Sequence, residues 1–166
     1  MSRQVLRRGD PLPQMTFPPV QNSEGADPER PFGLLWGLDL TDCKTRKQAK
    51  QDWRRAVDGV KAALDRYPSI RRVCLTCLRP RAFPGSVTTK VPGGLSLQLH
   101  NDLERDRGRY VQTLVLDATA CHDPAALGDR IEEVFEEGCD GWSELTLSWD
   151  EVAEDSIREV WESQNF

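Results

Sequence analysis

Apolar and polar positions divide the chain into segments of two periods. FGLLWGLDL, residues 32–40, is a short apolar run around Asp39 and predicts a buried strand. From Lys44 to Tyr67 the period lengthens. Ala49, Trp53, Ala56, Val57, Val60, Ala63, Leu64 and Tyr67 recur at steps of three and four, which makes one apolar helical face. Thr41 or Asp42 can cap this helix, and Pro68 stops it because the residue before a proline avoids helical angles. SIRRVCLTCL, residues 69–78, is apolar toward both faces and predicts a central strand, parallel to the first through a right-handed crossover.

Further along, PRAFPGSVTTKVPGG reads as a loop. LSLQLHNDL alternates Leu95, Leu97 and Leu99 with polar residues, RYVQTLVLDA alternates again, and ERDRG between them predicts a hairpin turn with Gly108 available for positive φ. A second helix is signed by Asp123 at its cap, Pro124 at its first position and Gly138 past its end, with Leu127, Ile131, Val134 and Phe135 inward. SELTLSW predicts a last strand with Leu145, Leu147 and Trp149 on one face. An acidic helix over about residues 150–163 holds Ile157, Val160 and Trp161 inward. The order β-α-β-β-β-α-β-α gives an α/β or α+β domain, a five-stranded mixed sheet packed by two or three helices, without internal repeats.

Length and composition add an arm to this domain. The 166 residues suit one domain with its own core. Six of the 11 prolines fall in residues 1–31, and with QNSEGADPER they predict a flexible proline-rich arm before a globular domain over 32–166. Within the arm, PLPQMTFPPV can adopt polyproline II. The start MSRQVLRRGD lacks the apolar core of a signal peptide, and no stretch reaches the roughly 20 apolar residues of a membrane span. The expected location is the cytoplasm of the producing or a host cell. Five cysteines in no regular framework argue against a secreted disulfide scaffold.

Charge changes the picture more. The net charge is −5, yet residues 44–109 hold 16 Lys/Arg against 6 Asp/Glu, a balance of +10, and residues 123–166 hold 2 against 14, a balance of −12. Such asymmetry points to charged partners or to charge-driven self-association. Lys47, Lys50, Arg54 and Lys61 fall within about 60° on the first helix and form a basic ridge. Arg71, Arg72, Arg79, Arg81, Arg105, Arg107 and Arg109 add charge at strand ends and the turn. Glu132, Glu133, Glu136 and Glu137 crowd the second helix.

Candidate chemistry is sparse. Cys74 and Cys77 have CxxC spacing, but on a strand residues three apart face opposite ways, and no helix follows to lower a thiol pKa. Cys43, Cys121, His122 and Cys139 lack zinc-ligand spacing. Asp42-Cys43-Lys44 after a strand resembles the D-x-K half of restriction-type nucleases. The resemblance implies carboxylates on magnesium and a lysine orienting water, but the further acid on a preceding strand is absent, with Asp27 in a loop. Cys121, His122 and Asp123 are adjacent, whereas a nucleophile and its base usually come from separate elements. No glycine-rich phosphate loop occurs. No catalytic, cofactor or metal residues are assigned. The sequence therefore predicts a non-enzymatic protein–protein interaction domain of the adaptor or accessory kind, meeting a protein partner or itself through oppositely charged surfaces. The alternatives are a self-assembling structural protein, with a virus as one candidate source, a nucleic-acid binder using the first helix and the turn, and a degenerate or active nuclease.

Overall fold

Every strand of the sheet runs the same way. The computed structural model describes residues 4–12, 28–80, 90–136 and 141–165. Strands β1 (Val5–Gly9), β2 (Gly33–Asp39), β3 (Arg72–Leu78), β4 (Gln112–Asp117) and β5 (Glu144–Ser148) pair in chain order, all parallel. Helices α1 (Arg46–Arg66), α2 (Leu95–Arg107), α3 (Pro124–Val134), α4 (Trp149–Val152) and α5 (Ile157–Asn165) complete an α/β architecture. The five-stranded α/β reading holds, but the sheet is not mixed.

One segment makes the sheet parallel instead of mixed. Residues 95–107 are helix α2, and ERDRG is its last turn rather than a hairpin. Leu95, Leu97 and Leu99 fit a period of two, but Leu99 and Leu103, four apart, are the leucines the fold buries, while Leu97 stays 48% exposed. Fully burying a leucine is worth about 1.5–3 kcal/mol, so two such residues outweigh one half-exposed. Gly108 does take positive φ, at 59°, as a helix terminator whose N–H donates to Glu104 O. With a helix between β3 and β4, that connection becomes a parallel crossover.

Within the segment predicted as a flexible arm, residues 5–9 form the edge strand β1. Val5–Gly9 pairs in register with Gly33–Gly37, and the Asp10 N–H extends the ladder to Gly37 O at 2.8 Å. Leu6 and Leu12 are buried. Most of PLPQMTFPPV lies outside the described residues, as do residues 81–89. Elsewhere the corrections are local. Thr45 caps α1, its hydroxyl accepting from Gln48 N, while Thr41 binds Asp39. The predicted acidic helix is two short ones, each opened by a capping box in which a serine and the glutamate three residues on exchange bonds: Ser148 with Glu151, and Ser156 with Glu159.

The sheet has a core on each face. Leu34, Leu38, Val73, Leu75 and Val115 pack under α1 and α2. Leu35, Cys74, Leu114, Leu116, Leu145 and Leu147 pack under α3, α4 and α5. Central β3 is buried at all seven positions. The crossovers β2–α1–β3 and β3–α2–β4 therefore pass over one face and β4–α3–β5 over the other. Because each steps to the next strand in the same direction, the last has the opposite hand to the first two, an infrequent arrangement in parallel sheets. Its consequence is that chains leaving the carboxyl ends of β3 and β4 diverge to opposite faces, the situation that opens a crevice in α/β sheets.

Candidate functional site

Three places can hold chemistry: the two carboxyl-end divergences of the sheet and the charged helix surfaces. At the first divergence Arg79, just past β3, meets Asp117 at the end of β4. Arg79 Nε lies 2.8 Å from Asp117 Oδ2 without well-directed hydrogen-bond geometry, and Arg79 N donates to Thr119 Oγ1. An internal ion pair thus occupies the crevice.

The second divergence lies at β1 and β2, where the chain leaving β1 reaches the α3 side through buried Leu12 and the chain leaving β2 enters α1. A cavity of about 440 Å³ opens here, lined by Asp10, Trp36, Asp39, Asp42, Asp52 and Arg55 among others. Three of its four carboxylates, Asp10, Asp39 and Asp52, are already engaged within the fold. Asp39 Oδ1 accepts from Thr41 N and Oγ1, Asp10 Oδ2 accepts from Asp39 N, and Asp52 binds Arg55 and the Cys43 thiol. Of the D-x-K residues, Asp42 and Lys44 stand exposed in the turn beyond β2 while Cys43 is buried. β1 supplies the preceding strand that the sequence reading lacked, with Asp10 at its end. No group of three His, Cys, Asp or Glu among the described residues could hold a metal ion.

These two strand ends share a motif not visible as a repeat at first reading. Leu38-Asp39-Leu40-Thr41-Asp42-Cys43 and Leu116-Asp117-Ala118-Thr119-Ala120-Cys121 follow one pattern, L-D-x-T-x-C. In both, the aspartate accepts from the threonine's N–H and hydroxyl, the cysteine N–H donates to the carbonyl three back, and the thiol is buried. The same turn launches α1 over one face and α3 over the other. Its chemistry is that of an aspartate-closed turn.

The described cysteines are structural. Cys74 belongs to one core and Cys77 to the other, as strand alternation requires. Burial, with Asp52 as hydrogen-bond acceptor, pushes the Cys43 thiol up to about 11, and burial raises Cys77 and Cys121. At pH 7 to 8 these groups stay protonated and poorly nucleophilic. A thiol-reactive disulfide reagent followed by peptide mass analysis should leave Cys43, Cys74, Cys77 and Cys121 unmodified until denaturant is added. Rapid native labelling at Cys43 would contradict this assignment.

The charged surfaces divide more sharply than the sequence predicts. Of the proposed basic set, Lys47, Lys50 and Arg54 are exposed, and among the described residues nothing pairs with them. The others are engaged within the fold. Lys61 Nζ lies 3.1 Å from Asp102 Oδ2, and Arg105 binds Asp102 and Asp106. Arg107 forks onto Asp65 at 2.7 and 3.1 Å, holding that carboxyl below the usual range. Arg109 donates to the carbonyls of Leu64, Pro68 and Ile70. Arg72 is buried, with hydrogen bonds to Gln112, Val134 and Glu136. Asp58 bounds the ridge toward the C-terminus of α1.

On the acidic side, α3 ends at Val134, so Glu136 lies just past the helix rather than on it; Glu132 on α3 and Glu136 present exposed side chains, and Asp129 joins Glu132 one turn before. Glu133 instead pairs with Arg130 and accepts from Ile157 N, and Glu137 lies outside the described residues. No helix among the described residues is long and apolar enough to cross a membrane. No family model, curated protein or solved structure matches the chain.

Proposed function

We propose that the chain is a non-enzymatic protein–protein interaction domain, of the adaptor or accessory kind, that holds an acidic protein surface against the outer face of α1. One observation carries this reading. The unpaired basic charges sit at the N-terminus of α1, where they cost stability, and the unpaired acidic ones lie across the sheet on its opposite face. Arg46, Lys47 and Lys50 occupy the positive N-terminal end of α1, whose first turn contains no acid. Glu132 in the last turn of α3 and Glu136 just past it are exposed on the other face, beside carbonyls that Arg72 holds. A base in the first turn of α1 costs roughly 0.3–1 kcal/mol at an exposed site. Residues that oppose folding without an internal partner fit a role in binding. The engagement of Arg105, Arg107 and Arg109 within the fold leaves a short ridge, which suits a protein better than a phosphate backbone. We place it in the cytoplasm, where a reducing environment would keep Cys43, Cys74, Cys77 and Cys121 as thiols.

Two coupled readouts test the reading. Lys47→Glu/Lys50→Glu is expected to raise stability to urea by about 1 kcal/mol, through relief at the helix terminus. The same variant should lose retention on an immobilised acidic polypeptide. Unchanged retention, or a wild-type chain that is never retained, would overturn the proposal. Stronger retention on duplex DNA of equal charge would favour the nucleic-acid alternative.

A further inference from the structure

We infer that the acidic partner is a second copy of this chain, docked head to tail, with the ridge of α1 against the ridge of α3. This rests on the interaction reading above and identifies its partner. The two ridges match in spacing. Lys47 and Lys50 stand three residues apart on α1, as Asp129 and Glu132 do on α3, and each pair is followed four residues on by a third like charge, Arg54 on α1 and Glu136 in the bend just past α3. At 1.5 Å per helical residue the basic set spans about 10 Å. All six side chains are exposed, and no described residue pairs with them.

The fold keeps the two ridges from neutralising each other within one molecule. α1 packs on one core and α3 on the other, with the whole sheet between them. The basic ridge can therefore meet its acidic counterpart only on another copy. The dipole of α1 adds to the match, since its positive end would approach the acidic ridge. Such a contact uses different surfaces on the two molecules, so it propagates as a chain or a ring instead of closing as a two-fold dimer. Built from exposed charges, it is weak and sensitive to salt.

Charge exchange between two full-length variants tests the contact. Lys47→Glu/Lys50→Glu/Arg54→Glu makes both ridges acidic, and Asp129→Lys/Glu132→Lys/Glu136→Lys makes both basic. By light scattering over a concentration series at about 50 mM salt, the wild type should exceed monomer mass and return to monomer at about 500 mM, where screening is severalfold shorter in range. Each variant alone should stay monomeric with an unchanged circular dichroism spectrum. An equimolar mixture should recover the wild-type mass, because each ridge then finds its opposite. A monomeric wild type, variants that associate as well as wild type, or a mixture that stays monomeric would each overturn the inference. A monomeric wild type still retained on the acidic polypeptide would remove self-association alone. Loss of that retention as well would remove the interaction reading with it.

Discussion

Arg72→Met is expected to destabilise the domain by about 3 kcal/mol, on the order of one or two stranded buried acceptors. Arg72 begins the central strand and is 4% exposed. Its Nε donates to Gln112 Oε1 at 2.6 Å, and Nη1 donates to Val134 O at 2.9 Å and Glu136 O at 2.6 Å. The guanidinium also lies 5.2 Å from the centre of the Phe32 ring. It therefore joins β3, β4 and the C-terminus of α3, where carbonyls lack helical partners and a cation is favoured. Methionine keeps much of the apolar stem and removes the buried charge along with its desolvation cost, so the loss isolates the hydrogen bonds. Arg72→Lys keeps the charge but not the planar fork, and should also lose stability. Urea unfolding at constant m-value measures both. A loss well under 1 kcal/mol for Arg72→Met would mean that the carbonyls find other donors.

Arg72 also shows where sequence reading stops. Among the Arg/Lys residues from 44 to 109, composition cannot separate the engaged from the free, because pairing depends on which strands become neighbours. Arg107 meets Asp65 across 42 positions, and Lys61 meets Asp102 across 41, only because α1 and α2 share a face. Had residues 95–107 formed a strand, those contacts would not exist. The period of α1, the cap at Asp123 and the burial of β3 were legible because local sequence and tertiary packing agree there. β1 was hidden by Arg7 and Arg8 inside a five-residue strand, and α2 by leucines that satisfy two periods at once. The L-D-x-T-x-C turns could have been found by comparing strand ends. So could the two S-x-x-E boxes that divide the C-terminal helix. The ridge at Lys47, Lys50 and Arg54 was visible from helical spacing. Its separation from the acidic ridge by the sheet was not, since it follows from the opposite hand of the last crossover.

Gly59→Ala should destabilise, reversing the usual rule for a helix interior. Within α1, replacing glycine by alanine ordinarily gains about 1 kcal/mol through backbone entropy. Here a Cβ on Gly59 would lie 2.3 Å from Cη2 and 2.5 Å from Cζ2 of Trp36. The indole cannot simply swing away, because a Cβ built on Gly9, at the end of β1, would lie 2.8 Å from Trp36 Nε1. The ring is thus held between two glycines, one on the helix and one on the edge strand. Overpacking of this kind costs about 1–3 kcal/mol, which exceeds the propensity gain. The net loss should be about 1–2 kcal/mol, or several degrees in Tm for a chain of this length. A double-mutant cycle separates the terms. Trp36→Leu removes the ring at its own cost, and in that background Gly59→Ala should become stabilising by up to about 1 kcal/mol. A change of sign between the two backgrounds assigns the cost of Gly59→Ala to the indole. If Gly59→Ala stabilises in both, then Trp36 is not wedged against α1, and the cavity beside Asp10 and Asp39 has room to close.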